Sequence, residues 1–417
     1  MIWKLLKRST ITESGTAPAI VFNPEDPAFV DDPYSCFAWL RRHDPVHMSE
    51  QGAWLLSRHA DVVAALADRR FSNEPAFYAV LHRRNRDKYI SADVANNTLP
   101  FLEGDSHKRL RHLIAPAFLN FVRGGAMDLE GLASDVLAAR EASRELDLLH
   151  DFATPLAIKV LCRILGFNEA DGQQLKAWSD AFFYLFAPMP STEVRDHTDQ
   201  TLTAFRRYVS AEVESRQAKR GTDLISVLLD KRDEGAVFSN SELVDNCMLL
   251  FADGIGNVDA GLANLFALLL QNRDQLERLY SNPALIPAAV DEALRLETPG
   301  QFIARVATED MQLHGKLIKQ HQAVFLLLAS ANRDEQIFPD PDAFQPERSN
   351  SREALSFGKG AHTCVGAHLV RLEMQAALTV LLQSYRHIRM SEDRLRWRPR
   401  RAHRWLQALP VSLSPLP

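Results

Sequence analysis

One cysteine in this chain stands in surroundings suited to ligand chemistry. The segment Leu355-Ser-Phe-Gly-Lys-Gly-Ala-His-Thr-Cys-Val-Gly366 carries Cys364 behind two glycines and just ahead of an apolar helix whose Leu369, Leu372, Ala376 and Val380 share a face. At a helix N-terminus the dipole and the free backbone N–H groups favour a thiolate, and glycines let backbone approach a flat ligand closely. A soft thiolate held in this way suits iron. Charge is grouped at two other places. Glu292 and Arg295 lie one helical turn apart, where a carboxylate and a guanidinium can pair. His107 and Arg111, in Gly104-Asp-Ser-His-Lys-Arg-Leu-Arg111, share a helix face four residues apart. Finally, Asp253-Gly-Ile-Gly-Asn257 interrupts a long apolar tract with residues that run against good helix formation, which invites a functional reading.

These residues need a scaffold, and the sequence outlines one. Ser239 followed by Glu242 is a capping-box start, and the pattern then runs without proline over about 241–271. Thirty helical residues span ~45 Å, so this element is expected to cross the whole molecule as a central strut. Much of 125–290 carries apolar residues at helical spacing. Residues 45–57 read as a hairpin around Gly52, Asp61 starts a short helix, and strand signals return in 318–329 and 406–414. Without a linker, low-complexity block or repeat, one compact domain over 1–417 is expected, with a short N-terminal extension of about 1–20.

Composition narrows the function. The 417 residues are 46% hydrophobic and 24% charged, as in a globular protein. With 48 Lys plus Arg against 53 Asp plus Glu, the net charge of −5 offers no global basic field, so nucleic acid is not expected as a partner. Cys36, Cys162, Cys247 and Cys364 lie far apart with no CxxC, which argues against a disulfide framework or a zinc cage and fits a reducing, cytoplasmic setting. The apolar tract 247–270 contains Asp253, Asn257, Asp259 and Asn264, which would be costly in lipid, so no membrane span is expected.

Phe357-x-x-Gly360-x-x-x-Cys364-x-Gly366 resembles the haem-thiolate loop of cytochromes P450, and the likeness extends from Asp32-Pro-Tyr34 to Ala408-Leu-Pro-Val411, most closely to soluble bacterial members. The resemblance implies the P450 fold, mainly α with a small β region, and haem b (iron protoporphyrin IX) with Cys364 as the iron ligand. It implies that Glu292 and Arg295 form a structural ion-pair triad with Arg348 of Phe338-Pro-Asp-Pro-Asp-Ala-Phe-Gln-Pro-Glu-Arg348, and that His107, Arg111, Arg305 and His362 meet the haem propionates. The implied activity is insertion of one oxygen atom from O2 into an apolar secondary metabolite of terpenoid, polyketide or fatty-acyl type. No flavin or iron–sulfur motif is present, so electrons are expected from a separate ferredoxin or flavodoxin with an NAD(P)H-dependent reductase. Lys108, Arg109, His112, Lys359 and Arg371 would form a positive patch for such an acidic carrier.

The regions that lie over the distal haem face in relatives suggest a pocket lined by Leu99, Phe101, Phe182, Phe183, Phe251, Gly254, Gln301 and Phe302, although each of these types also serves as ordinary core packing. No charged anchor for an acidic substrate stands out, and the six arginines between Arg394 and Arg404 are expected to be solvated. The central helix departs from the family. Relatives carry a small residue, Gly, any residue, an acid and Thr over the haem; here Gly256 replaces the acid and Asn257 the threonine. Gly254 and Gly256 would permit a local widening of the helix. Three readings stand: Asn257 satisfies the loosened helix while water or a substrate hydroxyl delivers protons; Asp253 or Asp259 supplies the acid; or the protein is a peroxygenase, isomerase or substrate binder. His321 and Trp405 also stand where relatives commonly have glycine, and both are expected to alter turn geometry only.

Overall fold

The 32-residue helix Asn240–Gln271 is the axis of the molecule. Its first turn carries the expected capping box: the Ser239 hydroxyl accepts from the Glu242 N–H, and the Glu242 carboxylate accepts from the Ser239 N–H. Apolar side chains cover it almost all round, so it is enclosed by neighbours instead of presenting one wet face. Against it pack the helices Thr154–Leu165, Gly172–Phe182, Thr192–Ala218, Ile286–Leu296 and Ala367–Ser384. The computed structural model describes residues 22–73, 81–124, 127–140, 145–186, 191–400 and 402–415; the expected extension 1–20 and Arg401 lie outside these.

The strands form a small flank. The hairpin Val46–Met48 and Trp54–Leu56 pairs antiparallel with Val46 opposite Leu56, as its spacing suggested. It extends through Ala323–Leu326 and Ile303–Ala307 to Phe71–Ser72 in a five-stranded sheet. The strand signal over 318–329 is two strands, Lys316–Ile318 and Ala323–Leu326, separated by a turn at His321. His321 has φ +68, so it holds the left-handed conformation that a glycine would hold without cost. Near the other end of the chain, Pro410–Pro415 lies between Glu145–Asp147 and Tyr385–Met390.

A buried ion network fixes the segment leading to Cys364. Arg295 donates to both Glu292 oxygens at 2.8 Å, and Arg348 Nε donates to Glu292 Oε1 at 3.1 Å. Arg295 also donates to the carbonyls of Asn332 and Pro341, each at 2.8 Å. Glu292 and Arg295 are wholly buried, so either charge left alone would be strongly destabilising. Among the described residues, no helix is long and apolar enough to cross a membrane.

Candidate functional site

Cys364 sits in the loop between the short turn Gly360–His362 and the helix Ala367–Ser384. Gly358 and Gly360, at φ +66 and +82, turn the chain, and Cys364 N–H donates to the Phe357 carbonyl at 2.9 Å. All four cysteines are unpaired. Burial pushes the Cys36, Cys162 and Cys247 thiols up to about 12. It pushes Cys364 up to about 11, with Asp253 adding to the rise and the Gly366 and Ala367 N–H groups and Arg111 opposing it. The helix start does favour the thiolate, as expected from the sequence, but desolvation outweighs it; a bound metal cation is what would take the proton off.

Basic side chains gather beside this loop. His107 and Arg111 come from the helix Gly104–Arg123, Arg305 from the strand Ile303–Ala307, and His362 from the cysteine loop. The His107 and His362 rings lie 4.0 Å apart at 30°. Burial, with the charges of His362 and Arg111 behind it, pushes His107 down to about 4, so it meets the site neutral. Its Nε2 is buried with no partner. Glu103 faces this group: burial works to raise its pKa, but His362, the Asn73 N–H and Arg305 together hold it below the usual range. Three of these bases, His107, Arg305 and His362, feel one carboxylate, the fourth, Arg111, feels Cys364, and a buried nitrogen is unsatisfied; the set fits the two propionates of a haem held by Cys364.

Across from the cysteine lies the middle of the central helix. It stays an unbroken α-helix through 253–257, so the expected widening is absent. The physical reason is on its surface. Asn257 Nδ2 donates to Asp253 Oδ1 at 2.7 Å, joining successive turns. The two glycines make room for neighbours: a Cβ on Gly254 would lie 2.8 Å from Leu161, and one on Gly256 would lie 2.7 Å from both Phe183 and Trp405. Trp405 thus does more than alter a turn. Its ring meets Phe183 edge-on at 4.8 Å and occupies the space over Gly256, so the two departures from the family pattern fit each other.

Asp253 faces Cys364 closely enough for its charge to be felt there. Burial raises Asp253 to about 6, against a smaller opposing effect of the Asn257 bond. The Asn257 Oδ1 is buried without a partner. Asp259 is taken elsewhere, accepting from Thr154 Oγ1 at 2.9 Å. Sequence reasoning missed Glu373, whose carboxyl oxygens are buried and unpartnered between these helices; burial, then the charge of Asp259, pushes it to about 8. Its place on an otherwise apolar helix face was the available signal.

Phe251 and Phe302 of the expected lining, and part of the expected surface, are engaged elsewhere. Phe251 packs against Phe167 and, edge-on, against Phe205, on the far side of the central helix from Asp253 and Asn257. Phe302 packs with Phe22 and Phe325 in a separate cluster by the five-stranded sheet. Phe182 is wholly buried, Leu99 N–H donates to Asn246, and Gln301 N–H donates to the Ala402 carbonyl at 2.7 Å. Phe183, Phe186 and Phe101 form a contiguous aromatic series, with 6.3 and 5.2 Å between successive rings. In the expected positive patch, Arg109 is paired with Glu242, and Arg371 with Asp291 at 2.6 Å. Nor are all the late arginines solvated: Arg404 is buried, donates to Glu297 at 3.2 Å and stacks 3.5 Å over Trp397.

A mainly helical fold with a cysteine loop facing a long central helix defines a haem-thiolate protein, and comparison with known proteins agrees. The Cytochrome P450 family profile matches residues 143–403. The biotin biosynthesis cytochrome P450 of Bacillus subtilis is 32% identical, over 93% of this chain and 97% of its own length. The polyketide biosynthesis cytochrome P450 PksS of the same organism is 31% identical, over 95% and 99%. The crystal structure of P450BioI in complex with hexadec-9Z-enoic acid ligated acyl carrier protein superposes with a TM-score of 0.85 at 30% identity, covering 93% of this chain and 99% of that one. The chain belongs to the cytochrome P450 family: it is a haem-binding monooxygenase of the bacterial type, similar to enzymes of secondary metabolism.

Proposed function

We propose that this P450 inserts one oxygen atom into an apolar terpenoid, polyketide or fatty-acyl substrate, in the cytoplasm, as a single domain served by a separate ferredoxin or flavodoxin and its NAD(P)H-dependent reductase. The named roles of the biotin and polyketide relatives support that substrate range. With Arg109, Arg371 and, at 3.5 Å from Asp105, Lys108 already paired, the surface left for an acidic carrier centres on His112 and Lys359.

Haem, when bound, supplies the oxygen chemistry. The chain's own residues hold it and manage protons. Cys364 Sγ is the iron ligand, and His107, Arg111, Arg305 and His362 bind the propionates. Phe183 and Trp405 close the space over Gly256 and exclude water from it. The observation that carries the mechanism is the bond from Asn257 to Asp253. It fixes one carboxyl oxygen and leaves the other to hold a proton at a group whose pKa of about 6 suits proton transfer near neutrality. Asp253 with Asn257 thereby does the work of the acid and alcohol that relatives place at the positions of Gly256 and Asn257.

The test is turnover of a bound apolar substrate with ferredoxin, reductase, NAD(P)H and isotopically labelled O2. One labelled oxygen per product, coupled to NAD(P)H use, is expected. Product formed with peroxide alone, or tight binding without product, would replace the proposal by the peroxygenase or binder reading.

A further inference from the structure

The sequence shows no anchor for an acidic substrate, but the fold assembles one. We propose that Arg400 binds the carboxylate of a long-chain acid, placing the chain along the aromatic wall that leads to the central helix. This rests on the monooxygenase function above and narrows its substrate class.

Arg400 lies between two bridges of the C-terminal segment, Gly300 with His403 and Trp397 with Leu406. These direct it back over the site. Its guanidinium carbon lies 4.5 Å from the Trp405 ring centre and 5.1 Å from that of Phe183. Those rings fill the space over Gly256, so Arg400 stands one aromatic layer from the central helix. Cation–π stacking of this kind holds a guanidinium flat, and the edge turned away from Asp180 is the one that would take a carboxylate through two parallel hydrogen bonds.

The local charge is unbalanced. Arg400 Nη2 donates to the Asp180 backbone carbonyl at 2.9 Å, and the Asp180 carboxylate lies 3.7 Å from Nη1. That same carboxylate is held at 3.0 Å by Lys176 Nζ, so two cations share one half-exposed acid. Arg398, which makes no ion pair among the described residues, adds a third positive charge, felt by Arg400 as repulsion; the buried Asp259, which faces Lys176 and Arg398, is the second acid, so three cations stand against two carboxylates. The Trp405 indole N–H, in a residue 3% exposed, is buried beside Arg400 with no partner. A carboxylate here would balance the charge and could accept from that unused donor, whereas a neutral head group would leave the excess cation in place. Beyond the head, Phe183, Phe186 and Phe101 offer an apolar run for the chain.

The anchor is tested on the haem-loaded enzyme by titration with hexadecanoate and with its methyl ester, followed by the Soret shift and by calorimetry. The acid is expected to bind the wild type about tenfold or more tightly than the ester, the scale of one charge-assisted contact. Arg400→Gln should bring the acid down to the ester's level, and Asp180→Asn, by removing the competing carboxylate, should widen the preference. Equal affinities in the wild type, no binding of hexadecanoate, or a preference that survives in a folded, haem-loaded Arg400→Gln protein would overturn the proposal. If that variant does not fold, the wild-type and Asp180→Asn titrations decide. A wild-type protein without a thiolate-type haem spectrum would instead defeat the monooxygenase reading, and calorimetry with the same two probes would still decide the anchor.

Discussion

The proximal loop and the distal stretch of the central helix face each other across one site but are built in different ways. Around Cys364 the loop itself is shaped by nearby chain, since glycines turn it and the following helix directs N–H groups at the sulfur, while His107 and Arg111, one turn apart on their own helix, reach it ready paired. At Gly256 the arrangement depends on residues far apart in sequence. A missing side chain on the central helix is filled by Phe183 and by Trp405 of the C-terminal segment, while Asp253 and Asn257 hold the carboxyl one turn away. A ligand-holding site tolerates little change in its donor set. A proton-handling site can be rebuilt wherever packing leaves room for a buried acid.

The comparison breaks most completely at the cysteine. Cys364→Ala should abolish the thiolate spectrum and all turnover; retention of both would remove the proximal half of the argument. Next comes the ion network behind it. Glu292→Gln leaves Arg295 buried with no countercharge, so a loss of about 3–5 kcal/mol is expected in denaturant unfolding, together with low haem content. A surface-like loss below about 1 kcal/mol would deny that the network holds the loop.

The distal half is tested by Asp253→Asn, with an expected fall of about 10²–10⁴ in kcat and little change in substrate Kd. The sign of the pH effect follows from the role. A proton donor must be protonated, so the wild-type rate should fall as pH rises through about 6, and the variant should lose that limb. The groups placed around it are Asn257, as hydrogen-bond donor, and Cys364. An unchanged pH profile would leave water or a substrate hydroxyl as the proton source.

Finer still is the fit of Gly256 to Trp405. Gly256→Ala places a Cβ against two rings and should cost about 1–3 kcal/mol, while the double variant with Trp405→Gly should cost less than the sum of the two single changes. Additive losses would show that the two positions are independent. The smallest effect is expected at His321, where His321→Gly relieves a left-handed residue and should raise stability by at most about 1 kcal/mol, read from the melting temperature.

The sequence by itself determined the cysteine loop, the capped central helix, the Glu292–Arg295 pair and the shared helix face of His107 and Arg111. Each is written in short-range spacing: a turn needing glycine, a cap three residues from its partner, or side chains one helical turn apart. Tertiary structure alone decided which way Phe251 and Phe302 face, that Gly254 and Gly256 are contact points instead of a loosened turn, that Trp405 fills the place of an absent acid, and that Arg400 stands over the aromatic wall. Packing volume and desolvation depend on what arrives from distant segments, and no periodicity within one segment records them.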